Sequence, residues 1–286
     1  MMKKNVLLWI VLLGAFSNLL RAQTITDSLN AVSAHWQTWE PVEGILHKRA
    51  SIAHLYGGTQ YINIIEIDSE SGKKIDVAIS DSLIKTSDLA VKNAAVAAIN
   101  GSYFDMRKGN SVCFLKIDSV LKDTTTSREW KARVTGALHV YRGKLKIFPW
   151  NKQIEKNYRK KKGTVLASGP LMLLNGNECD WSMCAQDFID TKHPRSAVAV
   201  TEKGTVLFIT VDGRLNPFAA GMNIRELSHF IRVIGGKHAI NLDGGGSTTL
   251  WLSNAPHAGI LNCPCDNGKF DHEGERKIAN ILYVYD

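Results

Sequence analysis

The chain has 286 residues, of which 44% are hydrophobic and 22% charged, and its formal charge is +8. That length holds one large domain or two small ones, each able to bury a real core. Seven Trp, seven Tyr and nine Phe exclude a disordered chain.

Residues 1–22 open with Lys3 and Lys4, continue with an unbroken apolar run from Val6 to Phe16, and close on Leu20-Arg21-Ala22. Charged, apolar, then small is the order of a secretory signal peptide, and the apolar run is short for a membrane span. The expectation is a signal peptide over 1–22 and an exported protein, periplasmic or secreted, with no membrane span after cleavage. That segment holds three basic residues and no acid, so its removal leaves a charge of +5. The excess gathers in Arg159-Lys160-Lys161-Lys162, which has no interleaved aromatics and reads as a solvated loop. No nucleic-acid partner is expected.

Residues 24–39 read as a short helix with Leu29, Val32 and Trp36 on one side, ended by Trp39-Glu40-Pro41. Residues 23–50 are therefore read as an N-terminal helical extension, and 51–286 as the main domain. Strand-like alternation follows at Tyr61 to Ile67 and at Ile75 to Ile79, with a Ser-Gly-Lys turn between them. Thr86 to Asn93 predicts a helix. Further strands are expected at Ala137–Tyr141, Leu145–Phe148, Leu171–Leu174, Ser196–Val200, Thr205–Val211 and Ile278–Tyr285. Asn175-Gly176 is a strong hairpin signal. Ile224 to Ile234 predicts the clearest helix, with Asn223 and Glu226 at capping-box spacing, Leu227, Ile231 and Ile234 on one face, and Gly235-Gly236 as its stop. Many strands and two or three helices without regular alternation mean an α+β fold, mostly antiparallel or mixed.

Five cysteines make an odd count. Cys179 and Cys184 flank a short loop and could bridge. Cys263-Pro264-Cys265 is too tight for an internal bridge, so one member could pair elsewhere. Their spacing is not that of a zinc ribbon or finger.

Four segments share one form, an apolar strand meeting polar residues and glycine. They contain Asn100 to Asp105, His193 to Ser196, Asp212-Gly213-Arg214, and Asn241 to Thr248. Loops at the ends of rigid strands are the usual sites of binding and catalysis. If the ends converge, one cleft holds Asn100, Asp105, Arg195, Asp212, Arg214, Asn241 and Asp243. Asp-Gly is also an ordinary hairpin turn, and the arginines could form surface ion pairs. His193 before Pro194 reads as structural. Gly244-Gly245-Gly246 is neither nucleotide motif, because the glycines are not spaced to open a helix and no Gly-Lys-Ser/Thr follows. It reads as a backbone nest for an anion, with Ser247 and Thr248 adding hydroxyl donors. A nucleophilic serine elbow is disfavoured, since Thr249 stands where Gly-x-Ser-x-Gly needs its second glycine.

In order from Ala94 to the C-terminus stand AAINGSYFD, ASGPLMLLNG, HPRSAVAV, VDGR, GMNIRELSHFI, INLDGGGSTTLW and ERKIANILYVY. As an ordered set these resemble the phosphodiester glycosidase family, which has exported bacterial members. The resemblance implies a hydrolase that frees N-acetylglucosamine from a sugar-1-phosphodiester. It points to Asn100, Arg195, Asp212, Arg214, Asn241, Asp243, Ser247 and Thr248 as site residues. Ser102-Tyr103 departs from the acidic or polar residue and Phe expected there.

A glycosyl phosphate already has a good leaving group, so it needs charge stabilisation more than the second, proton-donating carboxylate of ordinary glycosidases. Asp243 or Asp212 would act at the anomeric carbon. Arg195, Arg214 and the Gly244–Thr248 loop would hold phosphate, and Asn100 and Asn241 would orient the sugar. Asp105, Asp212 and Asp243 with backbone carbonyls would suit Ca2+ or Mg2+, and the sequence leaves that metal open. The alternative is a domain that binds an anionic glycan, cell-wall or exopolysaccharide polymer without cleaving it.

Overall fold

The computed structural model describes residues 25–158 and 162–286. The expected signal peptide and most of the basic run at 159–162 lie outside the described residues. A short helix, α1 (residues 25–32), leads into three antiparallel sheets.

The largest sheet has eight strands. In spatial order they are β1 (Gln37–Val42), β2 (Ile45–Leu55), β3 (Gly58–Ile67), β14 (Val206–Val211), β13 (Arg195–Thr201), β15 (Gly236–Asn241), β11 (Leu171–Leu174) and β12 (Asn177–Glu178). Five strands make the second: β7 (Val120–Asp123), β6 (Leu115–Ile117), β10 (Thr164–Ser168), β8 (Gly136–Tyr141) and β9 (Lys144–Pro149). The third holds β16 (Leu250–Leu252), β5 (Ala97–Asn100), β17 (Lys277–Tyr285) and β4 (Lys74–Lys85). The α+β reading stands, and every ladder described is antiparallel.

The period of two along a strand explains the layering. Val198 of β13 points into a core shared by all three sheets, with Phe208, Ile99, Leu282, Leu138 and Leu166. Its neighbours Ala197 and Ala199 face the opposite core, which α6 (Ile224–Val233) closes with Leu227, Phe230 and Ile231. The cap of α6 forms as expected, since Asn223 Oδ1 accepts from Glu226 N and Glu226 Oε2 accepts from Asn223 N. Such caps contribute about 1 kcal/mol. The turn at Asn175-Gly176 has φ of 52° and 80°, the left-handed pair that the residue types allow. Three further short helices appear: α3 (Ser127–Ala132), α4 (Lys152–Asn157) and α5 (Gln186–Asp190), while α2 (Thr86–Lys92) falls where expected.

The N-terminal reading needs correction. Only residues 25–32 are helical, and 37–55 form two strands of the main sheet. Leu29 and Val32 are 62% and 69% exposed, while Ala31 and Asp27 are buried. Asp27 Oδ1 accepts from Tyr56 N at 2.9 Å, which fixes the helix by its polar side. Pro41 is tolerated because β1 is an edge strand.

One row crosses the main sheet in register: Gln37, Arg49, Asn63, Thr210 and Ser196. Directly opposed residues share a face. This polar row runs along the margin of the apolar layer, with Asn63, Thr210 and Ser196 fully buried.

Candidate active site

The strand ends converge at one end of the main sheet. Arg195 pairs with Val211, and Ala197 pairs with Asn241, so the start of β13 lies beside the ends of β14 and β15. Asn100 ends β5 of the third sheet and joins it to them. Its Oδ1 accepts from Ser196 Oγ at 2.6 Å and from Thr249 N at 3.1 Å, while its Nδ2 donates to Asp243 O at 2.7 Å. Asn100 is wholly buried, so it ties the site together rather than facing a sugar.

Asn241 is equally buried. Its Nδ2 donates to Tyr103 Oη at 2.8 Å, Gly169 O at 3.0 Å and Leu242 O at 2.6 Å. Arg195 is 1% exposed and donates to the carbonyls of Met222, Phe188 and Thr191. Loss of water pulls its pKa down to about 10, so it remains a cation at neutral pH. All three residues occupy the expected place, but as scaffold beneath the surface.

The two aspartates separate. Asp212 is 1% exposed, and both its oxygens are engaged: Oδ1 accepts from Asn262 Nδ2 at 2.8 Å and Oδ2 from Cys263 N at 2.7 Å. Burial pushes its pKa up to about 7 against those two bonds. Asp243 is partly exposed, and its Oδ1 accepts from Gly244 N at 3.0 Å. Burial raises its pKa too, opposed by the nearby Ser247 hydroxyl and then by Arg133 and Arg276.

Arg214 is exposed and adopts φ of 62°, a left-handed conformation that non-glycine residues take at a cost. It has no acidic partner among the described residues. Its Nη2 meets His193 Nδ1 at 3.1 Å. Burial, Arg195 and Arg214 pull the His193 pKa down to about 4, so that ring is neutral and accepts the bond. His193 thus aims Arg214.

The triple glycine packs rather than cradles. A Cβ on Gly244 would stand 2.5 Å from Pro194 O. Gly245 has φ of 63° and lies under Arg214, where a Cβ would be 3.2 Å from Nη1. On Gly246 it would strike Asp266 and Arg276. Four of the five N–H groups of the expected nest are engaged within the protein, which leaves Gly246 N. Gly244 N binds Asp243, Gly245 N binds Pro194 O, Ser247 N binds Gly244 O, and Thr248 N binds Gly245 O. The hydroxyls of Ser247, Thr248 and Thr249 are buried without an aligned partner. Gly244→Ala is expected to lower the melting temperature by several degrees, since overpacking costs about 1–3 kcal/mol and a backbone carbonyl cannot swing aside. An unchanged thermal transition would show that the Pro194 strand entry yields.

Two arginines at the site escaped the sequence reading. Arg276 pairs with Asp266 through both Nε and Nη2. Arg133 binds Glu129 through Nε at 2.7 Å and Nη2 at 3.2 Å, and lies 3.7 Å over the Tyr103 ring. Phe188 sits between Arg133 and Arg195, at 5.0 and 4.8 Å. Arg276 stands within the quoted ERKIANILYVY motif. Nothing in sequence marks Arg133, which reaches the site from α3. Four arginines thus gather here, and of them Arg133 and Arg276 act on Asp243 and favour its ionised form.

Asp105 is not part of the group. It is partly exposed, and its Oδ1 accepts from Arg107 N and Lys108 N within its own turn. The expected Asp105–Asp212–Asp243 ligand set is thus not assembled, and no cluster of three His, Cys, Asp or Glu among the described residues is spaced to hold a metal. All five cysteines are free, so neither of the bridges that the sequence left open is formed. No helix among the described residues is long and apolar enough to cross a membrane.

The phosphodiester glycosidase family profile matches residues 93–285. The mouse N-acetylglucosamine-1-phosphodiester alpha-N-acetylglucosaminidase is 28% identical over 134 residues, which cover 42% of this chain and 25% of that protein. This chain thus spans about a quarter of that relative's length. The zebrafish N-acetylglucosamine-1-phosphodiester alpha-N-acetylglucosaminidase catalytic domain, auto-inhibited by pro-peptide, shares the fold with a TM-score of 0.66 at 17% identity, over 88% of each chain. A Synechocystis protein shares it at 0.62 and 14% identity, over 88% of this chain and 64% of that one.

Proposed function

The chain belongs to the phosphodiester glycosidase family, and from that premise we propose that it hydrolyses a sugar-1-phosphodiester, of the N-acetylglucosamine type, to free sugar and a phosphomonoester. The observation that carries this reading is one partly exposed carboxylate, Asp243, beside two guanidiniums, while the nearby acids Glu129 and Asp266 are each paired with an arginine. Ordinary glycosidases need two. Here the bond from the anomeric carbon to the phosphate oxygen breaks, the electron pair stays on phosphate, and the sugar takes the water oxygen. Asp243 acts at the anomeric carbon. Arg214, aimed by His193 and lacking an acid of its own, receives the departing charge. Asp212 holds the 262–263 segment in place. The charged, apolar and small-residue order of residues 1–22 supports an exported protein.

The test is hydrolysis of an N-acetylglucosaminyl phosphodiester in 18O-water. Glycosidic cleavage leaves the phosphomonoester unlabelled. Label in the phosphate means P–O cleavage and sinks the reading, and binding without product favours a non-catalytic glycan-binding domain.

The pH profile gives a second test. Arg276 favours the ionised form of Asp243, so its removal raises the carboxyl pKa further. Arg276→Gln is expected to move the acid limb of kcat/KM to higher pH. A limb that stays put would mean that Asp243 does not set it.

A further inference from the structure

A cleft of ≈ 360 Å³ lies between the β1–β2 hairpin and the 256–272 segment, and neither Asp243 nor Arg214 lines it. The hairpin lies outside the family match and the segment inside it. We propose that this cleft is a second ligand site, which takes a monosaccharide-sized sugar bearing a carboxylate or a phosphate.

Its volume sits near the lower end of ligand pockets, about 300–1,000 Å³. Its walls are flat and aromatic. Trp39 stands at the rim, 43% exposed, and His257 stacks on His272 with centroids 4.1 Å apart and planes 18° from parallel. Rings of this kind pack against the C–H face of a sugar and leave its hydroxyls for polar neighbours.

The polar neighbours are specific. His272 Nδ1 donates to Asn262 O at 2.7 Å, which leaves Nε2 as an acceptor. Burial keeps His272 and His47 below the usual imidazole range, so both are neutral at pH 7. His47 Nε2 is tied to Asn63 at 3.0 Å. Arg49 is the one Lys, Arg, Asp or Glu among the described residues of the lining. Its Nε and Nη2 both donate to Gln37 Oε1, at 3.2 and 2.6 Å, which orients the guanidinium without neutralising it. Among the described residues no acid lines the cleft; Asp271 and Glu273 line the depression next to it. An uncompensated guanidinium fits a carboxylate or phosphate in bidentate form. Behind Arg49, in the polar row, Asn63 Nδ2 and Thr210 Oγ1 are buried without a partner.

The cleft lies behind the buttress of the active site. Leu261 and His272 line it, and Asn262 between them donates to Asp212 and to Thr248 O. An occupant would bear on the segment that supports the glycine loop.

Calorimetry of the full chain with glucuronic acid, glucose 6-phosphate and N-acetylglucosamine tests this. At least one acidic sugar is expected to bind tenfold or more tighter than the neutral one, and which of the two does so names the anionic group. Arg49→Gln should weaken that binding at least tenfold and Trp39→Ala severalfold, while Arg214→Ala leaves it intact. Both cleft variants should melt like the wild type, and Trp39 is exposed enough to be replaced safely. Equal binding of the neutral sugar, no binding by any of the three, or binding lost in Arg214→Ala but kept in Arg49→Gln, would overturn the proposal. None of these outcomes depends on turnover, so the hydrolase reading stands or falls separately.

Discussion

Asp243→Asn is expected to lower kcat by about a thousandfold or more, the scale on which a positioned base or nucleophile contributes, while Asp212→Asn keeps activity within about tenfold. The two side chains have the same chemistry and differ in what they touch. Asp243 is partly open, lies beside Arg133 and Arg276, and gives only one oxygen to a neighbouring amide. Asp212 is sealed, with both oxygens held by the 262–263 segment. An amide at 212 still accepts one of those bonds and turns its NH2 toward the other donor, so the expected loss is stability, about 1–3 kcal/mol.

The pH dependence separates the two roles further. The folded pKa of Asp212 is raised to about 7, whereas an unfolded aspartate titrates near ~3.9. Between these values the folded state holds the extra proton, so this group makes stability fall as pH rises from about 4 to about 7, then level off. Asp212→Asn should remove that slope from a series of denaturant titrations. Equal loss of turnover in both variants, with both folded, would return Asp212 to the chemistry.

Arg214→Ala is expected to reduce kcat/KM by about 10²–10³-fold, as removal of a charge-stabilising donor does. Of the four guanidiniums it alone is exposed and without either an acid or a set of backbone carbonyls to hold. Its left-handed backbone adds to this, because strain of that kind persists where the surroundings impose it. Arg214→Lys should recover only part of the loss, since an ammonium keeps the charge and loses the planar fork. Steady-state kinetics on one phosphodiester decides it, and wild-type values in Arg214→Ala would remove the arginine from the reaction.

Much of this site could be read from sequence, because strands leave period-two patterns and their ends leave Asp, Asn and Gly. The ends of β13, β14 and β15 were placed by such signals, as was the cap of α6. What a one-dimensional pattern lacks is the direction of a side chain once the strand has ended. Asn100, Asn241 and Arg195 lie at the expected level, yet turn inward and serve carbonyls and hydroxyls. The glycines suggested an anion nest, but three separate close approaches, to Pro194, Arg214 and Arg276, explain them. Arg133 carries no local signal, because its place depends on stacking over Tyr103 across a sheet boundary. β1 was obscured by Pro41 at the sheet edge, and β2, the next strand in, by the charges of His-Lys-Arg at 47–49.

Asn100 also bears on how the molecule comes to be active. Its partners Ser196, Asp243 and Thr249 lie 96, 143 and 149 residues further along the chain. Contacts of such long range close late, after the local hairpins of β1 to β3, β8–β9 and β13–β14. Activity should therefore return on refolding more slowly than the far-ultraviolet signal of the strands. During that interval the chain is sheet-rich and inert, with the unpaired ends of three sheets open to one another and to other chains.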